Sequence, residues 1–205
     1  MNLQVTYMIA VISLCDAYKP VILLHGIMTG SESMAGIKAR IEEKHPGTIV
    51  YNTNRFGGWS SLDNMWYQVQ QIGNDLVEIS KNHSHGIHLL GYSQGALIAR
   101  AIIQAFPELN VCHFISLSGP QAGQYGSGPD DNVITPWQSS HFGFYNENVT
   151  VIDMKERDIY TKDLIGLKTL DKAGKLVLIT VPGIDHFMWH KNLTIVDKYI
   201  LPYLD

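Results

Sequence analysis

An α/β fold, with a mostly parallel sheet and helices on both of its faces, is what this sequence predicts, and three observations carry that reading. Short uninterrupted apolar runs recur at residues 20–24 (PVILL), 86–92 (GIHLLGY) and 111–117 (VCHFISL). Runs of that length without polar alternation belong to strands buried on both faces. The segments between them have helical periodicity, and alternating strands and helices imply a parallel sheet with covered faces. The 205 residues, 45% hydrophobic and 17% charged, are enough for one substantial core.

Each element follows in order. The first strand, 20–24, ends at His25-Gly26. The next helix spaces Met34, Ile37 and Ile41 by three and four, with Ser33 as candidate N-cap and His45-Pro46-Gly47 as its stop. Residues 48–51 are the second strand. Asp63 is placed to cap a helix whose apolar stripe is Met65, Val69, Ile72, Leu76 and Ile79. Residues 86–92 then form a strand, 94–106 a helix and 111–117 a strand, in whose apolar run Cys112 reads as core. Further on, 176–181 (LVLITV) reads as a last strand, and 193–200 as a last helix stopped by Pro202.

The start of the chain reads as an address. Residues 5–15 form an apolar run of eleven, too short to span a bilayer, and Cys15-Asp16-Ala17 suits a signal-peptidase site. The expectation is a signal peptide over 1–17 and one domain over 18–205; the alternative is an apolar first strand. Three N-x-[ST] sequons, at Asn82, Asn148 and Asn192, agree with a secretory route. Cleavage after Ala17 leaves Cys112 without a partner for an internal disulfide. With 15 Lys+Arg against 19 Asp+Glu and no basic block, nothing marks a nucleic-acid partner. Oligomeric state is not legible.

Gly91-Tyr92-Ser93-Gln94-Gly95 is a G-x-S-x-G. In a chain with 18 glycines it arises by chance only about 0.1 times, so its setting matters more than the pattern. It falls between an apolar strand and an amphipathic helix, where a sharp turn lifts Ser93 above the sheet as a nucleophile. Two backbone donors must meet the developing oxyanion. The N–H of Gln94 is one, and the loop after the first strand offers the N–H of Ile27 as the other. His186, on the loop after 176–181, is the candidate general base, with His190 as runner-up. The acid should lie between Ser93 and His186 in the chain, and Asp130-Asp131 do. The stretch before them, 119–129 (GPQAGQYGSGP), holds no strand-forming run to deliver a carboxylate. The spacing His83-x-His85-x-x-His88 has no Cys or acidic companion and reads as loop histidines, so neither a metal nor another cofactor is expected.

These residues resemble the palmitoyl-protein thioesterases, lysosomal α/β-hydrolases that cleave fatty acyl thioesters. The likeness runs through PVILLHG (20–26), HPGTIVY (45–51), HLLGYSQGALIARA (88–101), FISLSGPQAGQYG (114–126), PDDNVITPWQSSHFGFY (129–145) and GLKTLDKAGKLVLITVPGIDH (166–186). The run from Asp131 to Tyr145 is more similar to the type 2 branch, the lysosomal thioesterases. The resemblance implies an α/β-hydrolase fold and a triad of Ser93, Asp131 and His186, with Ile27 and Gln94 as oxyanion donors. It also implies a departure: the lid, and one late strand that delivers the acid, are missing at a join near 126–129.

The expected activity is that of a serine hydrolase cleaving S-acyl peptides or acyl-CoA through an acyl-enzyme in the secretory pathway, in the lysosome. Met28, Trp59 and Phe187 are candidates for holding the acyl chain, with Trp66, Met188 and Trp189 nearby. The alternatives are a lidless, catalytically impaired variant that at most binds acyl chains or partners, and a lipase or carboxylesterase.

Overall fold

The computed structural model describes residues 18–123 and 137–204. Strands β1 (Val21–Leu24), β2 (Val50–Asn52), β3 (Ile87–Tyr92) and β4 (Val111–Leu117) form a parallel sheet in the order β2-β1-β3-β4. Parallel neighbours need a crossover, supplied by α1 (Ala35–Lys44), α2 (Met65–Ser80) and α3 (Gln94–Ala105). A small antiparallel pair follows, β5 (Phe144–Tyr145) and β6 (Val151–Ile152), with short helices α4 (Asp158–Thr161) and α5 (Leu167–Lys172). Helix α6 (Leu193–Ile195) continues through a π-helical turn at Val196–Ile200 and a 3-10 turn at Leu201–Tyr203.

The two-residue period of the strands assigns their side chains to two cores. Val21, Leu23, Leu90 and Tyr92 face one side, where Ile37 and Ile41 of α1 and Val196, Ile200 and Leu204 of the C-terminal helix cover them. Ile22, Leu24, Ile87 and Leu89 face the other, against Val69, Ile72 and Leu76 of α2 and Ile98, Ala99 and Ile102 of α3. Burying each large aliphatic side chain stabilises by about 1.5–3 kcal/mol. Helices therefore cover both faces, as the uninterrupted apolar runs predict. A bidentate pair fastens the C-terminal helix to α1: Arg40 donates to both Asp197 carboxylate oxygens, at 2.7 and 2.6 Å.

Several details depart from the sequence reading. Residues 176–181 are not a strand. They run as an irregular segment with Val177 and Leu178 exposed, because among the described residues no strand stands beyond β4 for them to pair with. A strand is made by its ladder as much as by its side chains. Cys112 is exposed rather than core, since β4 is an edge of the described sheet and turns part of its length to solvent. Neither predicted cap holds. The N-cap of α2 is Asn64, whose side chain accepts from Tyr67 N, and Ser33 lies in a 3-10 turn and donates to the Gly30 carbonyl at 2.7 Å. Pro202 sits inside the last 3-10 turn rather than stopping the helix before it, a position that needs no N–H from it. The expected signal peptide, 1–17, lies outside the described residues.

The buried histidines set a pH dependence. Burial pushes the His141 imidazole below its usual value, against a hydrogen bond to the Ile179 backbone and the nearby Asp153 carboxylate. Burial does the same to His190, with the Lys191 and His186 charges adding to it. The unfolded chain binds protons near pH 6.5 that these folded residues decline, so stability falls as pH drops below about 6.5 and is unaffected by them above it. The apparent Tm is expected to decline between about pH 7 and 5, and to decline less in a His141→Gln, His190→Gln double variant. Equal slopes for the two proteins would contradict this.

Candidate active site

The site is built where β3 turns into α3. Ser93, the residue between them, has φ 54° and ψ −122°, a conformation that side chains rarely adopt and that is held by its surroundings. Its N–H donates to the Leu117 carbonyl at the end of β4, at 2.9 Å. The two motif glycines are demanded by space. A Cβ on Gly91 would lie 2.5 Å from Ala96 N, and one on Gly95 2.5 Å from the His25 carbonyl oxygen. The second approach brings the loop after β1, with Ile27, against the start of α3.

His186 opens a 3-10 turn (His186–Met188) capped by the Asp185 side chain, which accepts from Phe187 N at 2.9 Å. Its Nε2 lies 2.8 Å from Ser93 Oγ, across 93 residues of sequence, and both side chains are buried, at 3% and 5% exposure. The Tyr92 hydroxyl donates to the His186 carbonyl at 2.8 Å, and the two rings lie 5.3 Å apart. On the other edge of the imidazole, Nδ1 lies 3.2 Å from Ser118 Oγ. The runner-up base, His190, packs its ring 4.6 Å from that of Tyr92, and the imidazole bonded to Ser93 is that of His186.

Gln94 is the first residue of α3, so its N–H has no intrahelical acceptor. The Ile27 N–H donates to no acceptor among the described residues. Ser61 ties their neighbours together, its Oγ accepting from Met28 N at 2.8 Å and its carbonyl from Gln94 Nε2 at 2.9 Å. Met28, Trp59 and Phe187 are exposed, Trp59 most of all at 79%. Asp131, the expected acid, lies outside the described residues. Asn82 and Asn148 are exposed; Asn192 is half-buried and caps α6 through a bond from Thr194 N.

Sequence reasoning missed three contributors: the Tyr92 hydroxyl, Ser61 and Ser118. Tyr92 occupies a free position of the G-x-S-x-G. Ser118 had one usable signal, a polar residue directly after an apolar strand beside the elbow, at the sheet edge where open α/β sites assemble.

A parallel sheet in which a strand turns through a strained serine into a helix, with a histidine from a late loop on that serine, defines an α/β-hydrolase. Within that class the chain belongs to the palmitoyl-protein thioesterase family, a family of thioester hydrolases. The family model "Palmitoyl protein thioesterase" matches residues 20–128 and 127–186. Its relatives place it in the PPT2 branch. The Drosophila melanogaster "Lysosomal thioesterase PPT2 homolog" is 40% identical, over 95% of this chain and 94% of that protein. The Homo sapiens "Lysosomal thioesterase PPT2" is 33% identical, over 92% of this chain and 88% of that one. Among solved structures, Aspergillus fumigatus lipase B is 20% identical with a TM-score of 0.46, over 54% of this chain and 26% of that one.

The alignment to the Drosophila relative spans 272 positions while this chain has 205 residues, so at least 67 positions stand opposite no residue here. The two matched pieces of the family model meet at 127–128, inside the join predicted at 126–129.

Proposed function

We propose that this chain hydrolyses fatty acyl thioesters with Ser93 as nucleophile, His186 as general base and acid, and Asp131 as the carboxylate that orients His186. The observation that carries the reading is the 2.8 Å separation of His186 Nε2 and Ser93 Oγ at a strained strand-to-helix turn. Ser93 Oγ attacks the acyl carbonyl while Nε2 takes its proton, and the N–H groups of Gln94 and Ile27 hold the oxyanion. Collapse breaks the C–S bond, and His186 returns the proton to the departing sulfur. Water then attacks the acyl ester, His186 takes its proton, the fatty acid leaves and Ser93 regains its hydrogen. A thiolate is a good leaving group, so nothing in this sequence of steps requires a metal or an organic cofactor.

Met28, Trp59 and Phe187 offer exposed apolar surface to the acyl chain. The three sequons and the lysosomal names of the relatives support passage through the secretory pathway to the lysosome, with 1–17 as the signal peptide and 18–205 as the hydrolase domain. Among the described residues no helix is long and apolar enough to cross a membrane.

Two observations favour a second reading, an acyl-binding chain without turnover. The segment 176–181, which leads into His186, is outside the sheet, and the matched pieces of the family meet just before Asp131. Single-turnover hydrolysis of palmitoyl-CoA, followed by thiol release, separates the two. Release well above the uncatalysed rate, comparable with that of a version carrying a relative's intervening segment, supports the hydrolase. Retained palmitoyl-CoA binding without release supports the second reading.

A further inference from the structure

The geometry points to Thr29 as a positioning residue for the oxyanion hole, its hydroxyl holding the Gly26–Ile27 peptide so that the Ile27 N–H faces the developing oxyanion. The proposal rests on the reading above, in which Ser93 is the nucleophile and the Ile27 N–H is one of the two donors. The peptide concerned stands against the nucleophile: a Cβ on Gly26 would lie 3.2 Å from Ser93 Cβ and 3.0 Å from Tyr92 Cε1. Space therefore demands a glycine, and the same lack of a Cβ leaves the plane of the following peptide freer to turn. A donor on that peptide's carbonyl is what stops it.

A trans peptide is planar, with its C=O and N–H on opposite sides, so a donor bound to the Gly26 carbonyl sets the direction of the Ile27 N–H. Thr29 Oγ1 donates to that carbonyl at 2.9 Å. Met28 brings it there. Its φ of 56°, in the left-handed region, folds the chain back in a tight turn at Ile27-Met28 and returns residue 29 over Gly26. The backbone around the hydroxyl is tied to the segment after β2, because Met28 N donates to Ser61 Oγ at 2.8 Å and Gly58 N to the Thr29 carbonyl at 2.9 Å. The hydroxyl thus acts from a fixed point.

The partner fixes the direction of this bond, since a carbonyl oxygen only accepts. Ser33 Oγ, 3.3 Å from Thr29 Oγ1, gives its own proton to the Gly30 carbonyl at 2.7 Å. His25 makes a second contact, its Nδ1 lying 2.9 Å from the Gly26 carbonyl oxygen, but its Nε2 lies 2.9 Å from the Arg55 carbonyl oxygen. A neutral imidazole has one proton and serves only one of those carbonyls, whereas the Thr29 hydroxyl serves Gly26 in either case. Thr29 acts through the Gly26–Ile27 peptide rather than on the substrate.

The test uses the full chain with Thr29→Val, which keeps the branched shape without the hydroxyl, and Thr29→Ser, which restores the hydroxyl. Thr29→Val is expected to lower single-turnover thiol release from palmitoyl-CoA about three- to tenfold, the net worth of one neutral hydrogen bond, with the half-saturating concentration unchanged. A long-chain alkyl trifluoromethyl ketone, which adds Ser93 and carries an oxyanion, is expected to bind more weakly by the same factor. S-hexadecyl-CoA, a thioether without the acyl carbonyl, is expected to bind as it does to the parent. A loss shared by the thioether would mark a loosened site and overturn the proposal, as would full activity in Thr29→Val or a Thr29→Ser variant no better than Thr29→Val. The 13C shift of the Gly26 carbonyl reads the hold on the peptide without turnover. It is expected to move upfield in Thr29→Val and to return in Thr29→Ser, and an unmoved shift overturns the proposal even in a chain that proves inactive. Ketone binding undiminished by Ser93→Ala would instead sink the assignment of the nucleophile.

Discussion

Ser93→Ala is expected to lower thioester hydrolysis at least about a thousandfold while leaving the chain folded. The substitution deletes Oγ and nothing else from the elbow. The Cβ, the β3-to-α3 turn and the bond from the residue 93 N–H to the Leu117 carbonyl all stay, so cooperative unfolding should persist. The loss is large because the acyl group has nowhere to go. His186 Nε2, 2.8 Å from the missing oxygen, then has no nucleophile to activate and can only assist water. The donors at Gln94 and Ile27 would remain, which is why a residual rate over solvent is expected. A variant within tenfold of the parent would show that the chemistry lies elsewhere.

Gly95→Ala is expected to cost about 1–3 kcal/mol of stability and at least about tenfold in activity, although only one methyl group is added. The added carbon would lie 2.5 Å from the His25 carbonyl oxygen. The obstacle is backbone at the end of β1, and a backbone oxygen cannot rotate away as a side chain would. Relief requires α3 to lift from the sheet or the His25–Ile27 loop to recede. The first tilts the helix whose N-terminus carries the Gln94 N–H, and the second withdraws the Ile27 N–H, so either response spoils the proposed oxyanion donors. Urea unfolding measures the first cost and single-turnover thiol release the second. An unchanged midpoint with unchanged rate would mean that the loop does not pack closely on the helix.

The sheet was legible because its central strands are buried on both sides. β1 and β3 appear in the sequence as apolar runs, since no face of them needed polar residues; β4 reads as such a run although it lies partly exposed at the edge of the described sheet, and its observed bounds coincide with the predicted ones. The elbow was legible for a related reason: glycines two positions before and two after a serine, at a strand-helix junction, mark a turn too tight for side chains on either side of it. Ser93 and His186 followed, one by motif and one by its place on a late loop. Residues 176–181 were misread because composition records a side chain's preference for a strand but not whether a neighbouring strand exists. The cap of α2 was misplaced by one residue, because the neighbouring polar side chains Asp63 and Asn64 compete for the same helix end, and that of α1 because Ser33 is taken up in a preceding 3-10 turn, leaving Met34, which makes no side-chain cap bond, at the start of the helix. Tyr92, and Ser118 apart from its place directly after an apolar strand, went unread for a different reason. Each acts through an atom that meets His186 only after the chain has folded 68 and 94 residues back on itself, and neither has a spacing that would announce it.

The most direct measurement is rapid quench of the parent chain with palmitoyl-CoA, followed by intact-mass analysis and peptide mapping. The expected result is a transient species heavier by one acyl group less a hydrogen, carried on the peptide containing Ser93, formed as thiol is released and decaying as fatty acid appears. Thiol release that proceeds equally in Ser93→Ala, with no acyl group ever found on the peptide containing Ser93, would contradict the account.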